Sequence, residues 1–323
     1  MFHLVNYIPK CFYICISTRM KKILLFSFLL TAAPFAGFSQ YELNHTLNRS
    51  EYCGAIGLSQ FLGDLGGSPQ IGTHFLRDFN PGALRYGGFI GYRRRIGHAW
   101  SAKLAFTFAN LYGNDALSSN PYRFNRNQNF RSFIIEPSLQ MEYHFYQYDQ
   151  PGHRYKIRHA HGFRTLALDA YLFAGIGGLY FNPQGMYNNT WYSLRPMSTE
   201  GEGLPGGPSN YSSIALCFPA GLGVKYLIDI QWSVGMELSD RLWTSSDYID
   251  DTHGNYFSVS EIDAYRGPVA GALSHPVRGL IPGQDLPNTE RGDPTHNDSY
   301  MFLFFTVNYR PNPYHRRRSR AKF

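Results

Sequence analysis

The sequence predicts an all-β protein: an eight-stranded antiparallel transmembrane up-and-down β-barrel with long outer loops and a filled polar lumen. Three observations predict it. Eight stretches of roughly ten residues alternate apolar and polar side chains, the period of a strand. They follow a segment that reads as a secretion signal. The connections between them alternate between short and long.

The clearest stretch is 132–145. Phe133, Ile135, Leu139, Met141, Tyr143 and Phe145 point one way; Ser132, Glu136, Ser138, Gln140, Glu142 and His144 point the other. In a soluble sandwich the apolar face is the core. In a membrane barrel it faces lipid, and the polar face lines the interior. The predicted strands are Glu51–Ser59, Leu84–Arg93, Trp100–Tyr112, Arg131–Gln147, Thr165–Phe181, Ser212–Leu227, Gln231–Arg241 and Tyr300–Tyr309. In the third, Trp100, Ala102, Leu104, Phe106, Phe108 and Tyr112 face lipid, with Ser101, Lys103, Ala105, Thr107 and Ala109 inside. In the seventh, Trp232, Val234, Met236 and Leu238 face lipid, with Gln231, Ser233, Glu237, Ser239 and Arg241 inside. Aromatic rings near the strand ends suit the two interfacial belts of such barrels, and 24 Tyr and 25 Phe supply them.

Residues 1–40 read as a signal segment, with Met20 the expected start. Lys21 and Lys22 precede the apolar run from Ile23 to Leu30, and small Gly37 and Ser39 precede an expected cut before Gln40. That run is too short for a spanning helix, which needs roughly 20 residues. Beyond it no long apolar run follows, which excludes a helical membrane protein. Residues 41–310 are expected to form one barrel domain, and 311–323 a basic periplasmic tail. Much of the net charge of +7 sits in that tail, and the remainder is mixed in sign, which argues against a nucleic-acid-binding face. Cys53 and Cys217 fall on inward faces of strands that are not neighbours, so free buried thiols are expected.

Loop lengths orient the barrel. Arg94–His98 and Ile228–Ile230 are short turns, whereas the connections after strands one, three, five and seven are long and rich in Gly, Pro, Asn and Ser. Short turns belong on the periplasmic side of an outer membrane, so both termini are expected in the periplasm. The connection at 148–163 breaks the pattern, being long and basic. Its His153, Arg154, Lys156, Arg158, His159 and His161 are a candidate periplasmic docking surface. His159 and His161 alone, with no third ligand at a suitable spacing, do not make a metal site.

The register places Arg85, Arg93, Lys103, Lys225 and Arg241 inside, against Glu136, Glu142, Asp169 and Glu237. Buried charges persist when paired, and eight strands leave an interior just wide enough for side chains to fill. The expectation is a salt-bridged plug and not a diffusion pore. No catalytic constellation, metal site or cofactor motif stands out, and no enzyme is expected.

The run Glu237-Leu238-Ser239-Asp240-Arg241-Leu242-Trp243, followed by Asp247-Tyr248-Ile249-Asp250-Asp251 and then Gly254 and Tyr256, resembles a signature of the PorG-like outer-membrane barrels of Bacteroidetes. Within it Asp240, Arg241, Trp243, Asp247, Tyr248, Asp250 and Asp251 are the candidate signature residues. Gly57 to Leu65 is similar to that family's opening strand, and the similarity runs from about residue 50 to 310. The resemblance implies a small barrel in the bacterial outer membrane, in contact with its lipid. It further implies a structural or anchoring part in a type IX protein secretion system, partnered by periplasmic ring proteins. The alternative is a cell-surface ligand-binding or adhesion barrel with functional outer loops.

Overall fold

A computed structural model of the 323-residue chain describes residues 50–63, 65, 81–97, 99–118, 120–147, 168–229 and 231–311. The expected signal segment, the docking residues His153, Arg154, Lys156, Arg158, His159 and His161, and all but the first residue of the basic tail lie outside them.

The strands are β1 (Ser50–Leu62), β2 (Arg85–Arg95), β3 (Trp100–Asn114), β4 (Asn129–Tyr146), β5 (Leu168–Tyr187), β6 (Thr190–Ser193), β7 (Ile214–Leu227), β8 (Trp232–Thr244) and β9 (Ser299–Tyr309). Each pairs antiparallel with its neighbour, and β1 pairs with β9, so the sheet closes. The short β6 hangs on the end of β5 as a hairpin outside the ring. The molecule is therefore a closed eight-stranded antiparallel barrel.

Its side chains are sorted inside out. On β4, Phe133, Leu139, Met141, Tyr143 and Phe145 are exposed, while Ser132, Glu136, Ser138, Gln140, Glu142 and His144 are buried. On β3, Trp100, Leu104, Phe106 and Phe108 are exposed, and Ser101, Lys103, Ala105, Thr107 and Ala109 are buried. Leu139 is 53% exposed and Lys103 1%. Burying an ammonium while exposing leucine is tolerable only where the outside is apolar, so this is the fold of a transmembrane barrel.

Two aromatic belts bound the apolar band. At the short-turn end, Trp232 packs on Tyr309 (4.7 Å between rings), Tyr52 on Tyr92 (5.6 Å) and Trp100 on Tyr143 (5.0 Å). At the other end stand Tyr86, Phe108, Phe133, Tyr180 and the Phe218–Trp243 pair. Along β3 the outward face stays apolar from Trp100 to Phe108 and turns polar at Asn110. Roughly ten residues at about 3.3 Å each, tilted by about 40°, rise about 25 Å, the height of such a band.

β2 is joined to β3, and β7 to β8, closely: Trp100 O accepts from Ile96 N, and Trp232 O accepts from Ile228 N. The first and last strands start and end beside these joins, Tyr52 opposite Tyr309. Among the described residues, the long β3–β4, β5–β7 and β8–β9 connections lie at the opposite end and carry three short α-helices: α1 (Pro121–Arg126), α2 (Val259–Arg266) and α3 (Pro268–Ser274).

Three features depart from expectation. β5 runs on to Tyr187 through Asn182, Pro183, Gln184 and Gly185, a composition that reads as a turn. It stays extended because β4 pairs with it on one side and β6 on the other, Arg131↔Gln184 and Gln184↔Ser193. β8 continues past Arg241 through a bulge opposite Cys217–Pro219, which turns both Leu242 and Trp243 outward. Arg85 does not enter the lumen. It sits at the very start of β2, paired with Ser59 of β1 but beyond the end of the β2–β3 ladder at Gly87; its guanidinium lies over the Tyr112 ring at 3.8 Å, and Nη1 donates to the carbonyls of Gly82 and Leu84.

Candidate functional site in the barrel lumen and its loop cap

Alternation aims one polar face of every strand at the barrel axis, so charges distant in sequence converge there. Arg93 is the hub. Its Nε donates to Glu142 at 2.6 Å, Nη1 to Glu51 at 2.9 Å and to Asn308 at 3.1 Å, and Nη2 to Glu237 at 3.2 Å. Lys103 Nζ donates to both oxygens of Glu237 at 3.0 and 2.8 Å. Lys225 bridges Glu51 and Asp169, each at 3.3 Å. The Tyr171 hydroxyl donates to Glu237 at 2.5 Å.

A second group lies nearer the end that carries the helical connections. Arg241 forks onto Glu136 with Nε at 2.8 Å and Nη2 at 2.6 Å, and the Tyr300 hydroxyl donates to the same carboxylate at 2.8 Å. Rings fill the space between the two groups. Lys103 Nζ lies 4.9 and 4.8 Å from the centres of Phe89 and Phe173, and Arg241 lies 4.4 Å from that of Phe302. Arg93, Lys103, Lys225 and Arg241, with Arg95 and Arg310 at the mouth, thus face Glu51, Glu136, Glu142, Asp169 and Glu237, and each of these charges meets one of opposite sign. Bidentate and shared pairs of this kind are the form in which buried ions are tolerated.

Of the residues assigned to the lumen from sequence, Arg93, Lys103, Glu136, Glu142, Asp169, Lys225, Glu237 and Arg241 meet there, and Arg85 does not. Glu51 joins them without having been predicted, although it shares the inward face with Cys53. Arg310 also escapes prediction, because it follows the last strand. Cys53 and Cys217 are both buried and free.

At the short-turn end Ser101 Oγ lies 2.9 Å from His144 Nε2, and His144 Nδ1 lies 2.7 Å from Asp169. That is the spacing of a nucleophile, base and orienting carboxylate. The surroundings do not suit acyl transfer. Ser101 is 1% exposed, and its strand is hydrogen-bonded on both sides, to β2 and β4, so its backbone forms no oxyanion cradle. His144 Nε2 also lies 3.6 Å from Glu142. The row acts as a polar rung linking Glu142 to Asp169.

The signature residues divide between barrel and cap. Arg241 belongs to the lumen, Asp240 is buried beside Ser299, and Trp243 faces out against Phe218. Beyond them, Asp247 accepts from His253 Nδ1 at 2.7 Å, and Tyr248 stacks on Tyr211 at 4.4 Å. Asp250 accepts from the backbone of Leu65 and Thr252. Asp251 accepts from Thr199 and from the Tyr211 hydroxyl. Arg291 ties the loops together, donating to Glu200 at 2.7 Å and to the Asp251 carbonyl at 2.7 Å. Glu200 in turn receives the backbone N–H groups of His253 and Gly254. Glu200 is thus the carboxylate paired with the Arg291 guanidinium; Glu202, which accepts from the Glu200 backbone N–H, and Asp251 are buried in the same cluster. Burial first, then the charges of Asp251 and Glu200, push the Glu202 carboxyl up to about 8. Burial also raises Asp251, against the pull of Arg291. A small apolar centre of Leu204, Ile262 and Ala270 packs under α2 and α3.

Among solved structures the chain is similar to several small bacterial barrels. Neisserial surface protein A matches at 10% identity, covering 81% of this chain and 96% of that one, with a TM-score of 0.33. OprG of Pseudomonas aeruginosa matches at 9% identity, covering 82% and 98%, with a TM-score of 0.32. Outer membrane protein W of E. coli matches at 13% identity, covering 83% and 100%, with a TM-score of 0.33. At these scores it is the chain's own strand pairing that establishes the barrel. No curated protein matches the sequence. Residues 49–263, from the first strand to α2, match the family described as "Domain of unknown function (DUF6089)", and the chain belongs to that family.

Proposed function

We propose that the protein is a non-enzymatic outer-membrane barrel that serves as an anchor, with its termini and short turns in the periplasm. The observation that carries this reading is the charge-paired plug. Arg93, Lys103, Arg241 and their carboxylates occupy the axis that a diffusing solute would need. An eight-stranded barrel so filled is a fixed body in the lipid, suited to holding a partner. The finer assignment, a structural part of a type IX protein secretion system bound to periplasmic ring proteins, rests on the sequence resemblance through Glu237–Trp243 and Asp247–Asp251.

Two measurements test it. The refolded barrel in a planar bilayer is expected to show no stepwise ion conductance, and porin-like steps would remove the anchoring argument. Affinity purification from mildly solubilised membranes is expected to recover periplasmic ring components. Their absence would leave an anchor without the secretion role.

A second reading, a surface binding barrel, is favoured by one observation. The outer loops are built around Arg291 and their own apolar centre, and so present a defined surface. Deleting 257–288 while leaving the barrel intact separates the two: lost secretion points away from the anchor, lost surface binding towards the receptor.

A further inference from the structure

We infer that the outward face of β2–β6, just beyond the apolar band, is a docking surface for the phosphate groups of an anionic glycolipid in the outer leaflet. The inference rests on the outer-membrane reading above.

The register builds the surface. One cross-strand row reads Asn110–Phe133–Asn182, and the next, further out, reads Tyr112–Arg131–Gln184. Phe133 is exposed and belongs to the belt, so Arg131, two residues on along the same face, stands at headgroup depth. Neighbours in such a row lie about 4.5–5.5 Å apart. Tyr112 and Arg131 are therefore adjacent, and Arg85 covers the Tyr112 ring from the other side at 3.8 Å. Arg131 in turn lies over Trp191 of β6 at 4.3 Å. The result is a continuous arc, Arg85–Tyr112–Arg131–Trp191, along one side of the rim.

Its chemistry selects the partner. Arg93, Lys103, Lys225 and Arg241 inside the lumen each meet a carboxylate. Arg85 and Arg131 meet none among the described residues. Arg131 donates Nε to Gln184 at 2.8 Å, and Arg85 donates Nη1 to two carbonyls. These bonds and the ring beneath hold each guanidinium plane, while Arg131 keeps both terminal nitrogens free of hydrogen bonds among the described residues. A planar, pre-oriented fork with spare donors fits a tetrahedral phosphate oxyanion far better than it fits water. Asn110, Asn182 and Gln184 add neutral donors in the same rows. The occupant is a lipid because the arc faces outward from the barrel wall, contiguous with the acyl-facing band, and not up into the cap.

The test uses the full chain refolded into neutral detergent micelles. It is incubated with lipid A carrying its phosphates, or with the same lipid after their removal, and retained lipid is measured by mass spectrometry after gel filtration. The wild type is expected to retain the phosphorylated form and to discriminate against the other. The double variant Arg85→Gln/Arg131→Gln is expected to retain about tenfold less or below, while its heat-modifiable gel mobility stays unchanged. Equal retention by wild type and variant, or of both lipid forms, would overturn the docking surface and leave the barrel reading standing. Release of the lipid by inorganic phosphate alone would also overturn it, in favour of a free-anion site. A chain with no heat-modifiable form at all would overturn both readings together.

Discussion

Lys103 and Glu237 meet across the lumen from strands that are not neighbours in the sheet. The ammonium on β3 donates to both carboxylate oxygens on β8, and neither residue is more than 2% exposed. Glu237 also receives Arg93 and Tyr171. Removing one member of such a set leaves an uncompensated buried charge, worth about 3–5 kcal/mol. Glu237→Ala is therefore expected to lower barrel stability by about that amount. Lys103→Met should cost less, since Glu237 keeps its other donors. Urea unfolding in micelles, followed by tryptophan fluorescence, measures both, and an unchanged midpoint for Glu237→Ala would refute the plug as a stabilising unit.

Closure depends on backbone proximity at Gly57. It lies where β1 meets β9, opposite Phe304, and a Cβ there would stand 2.0 Å from the Leu303 carbonyl oxygen and 2.8 Å from Phe304 Cα. No rotamer relieves a clash with backbone, so the strands must separate. Gly57→Val should abolish the heat-modifiable closed form. Gly54→Ala, where the added carbon meets nothing within 4 Å, should preserve it. Equal behaviour of the two would contradict so close an approach of β1 and β9 at the seam.

Arg291 ties the cap loops to one another. It holds Glu200 and the Asp251 carbonyl, and Arg126 Nη1 donates to its own carbonyl at 2.5 Å. Arg291→Leu should leave Glu200, in the same cluster as Glu202 and Asp251, without its cation. Limited proteolysis is expected to cut within 199–213 and 245–256 many times faster than in the wild type, with the barrel fragment still resistant. Uniform loss of resistance would mean that cap and barrel unfold as one.

The same carboxylates make the cap sensitive to alkali. The Glu202 carboxyl, raised to about 8 by burial and its acidic neighbours, keeps a proton in the fold that the open chain releases near its ordinary value of 4.5. Its contribution is complete below that value and is lost as pH rises towards 8. His275 acts in the other direction. Burial and then Arg291 lower it to about 4, so its contribution is complete above 6.5 and is lost as pH falls. Between the two, near pH 6, the opposing slopes offset each other; above 6.5 only the loss remains. Proteolysis of the cap should accelerate between pH 6.5 and 8.5, and Glu202→Gln should flatten the rise. An acceleration that survives Glu202→Gln would place the titrating group elsewhere.

Much of this architecture was legible in the chain. Strand alternation is local, and a period of two leaves only two choices of face; the lumen charges Lys103, Glu142, Glu237 and Arg241 follow from it. The cap was not legible. Nothing near Asp251 in sequence announces Thr199, Tyr211 or Arg291, because loop partners are chosen by non-local packing and not by a repeating pattern. Arg85 shows the same limit at a strand end, where parity still assigns a face but the Tyr112 ring, beyond the end of the β2–β3 ladder, decides the rotamer.

The order of residues by itself determined which side of each strand is apolar, where the short turns fall, and hence an inside-out closed sheet, because each of these depends on neighbours one or two positions apart. Only the tertiary structure decided who pairs with whom across the axis, that Glu51 and Arg310 join the plug, and that Arg85 and Arg131 gather on the rim. Those partnerships are set by strand stagger and closure, which bring together groups that no spacing along the chain relates.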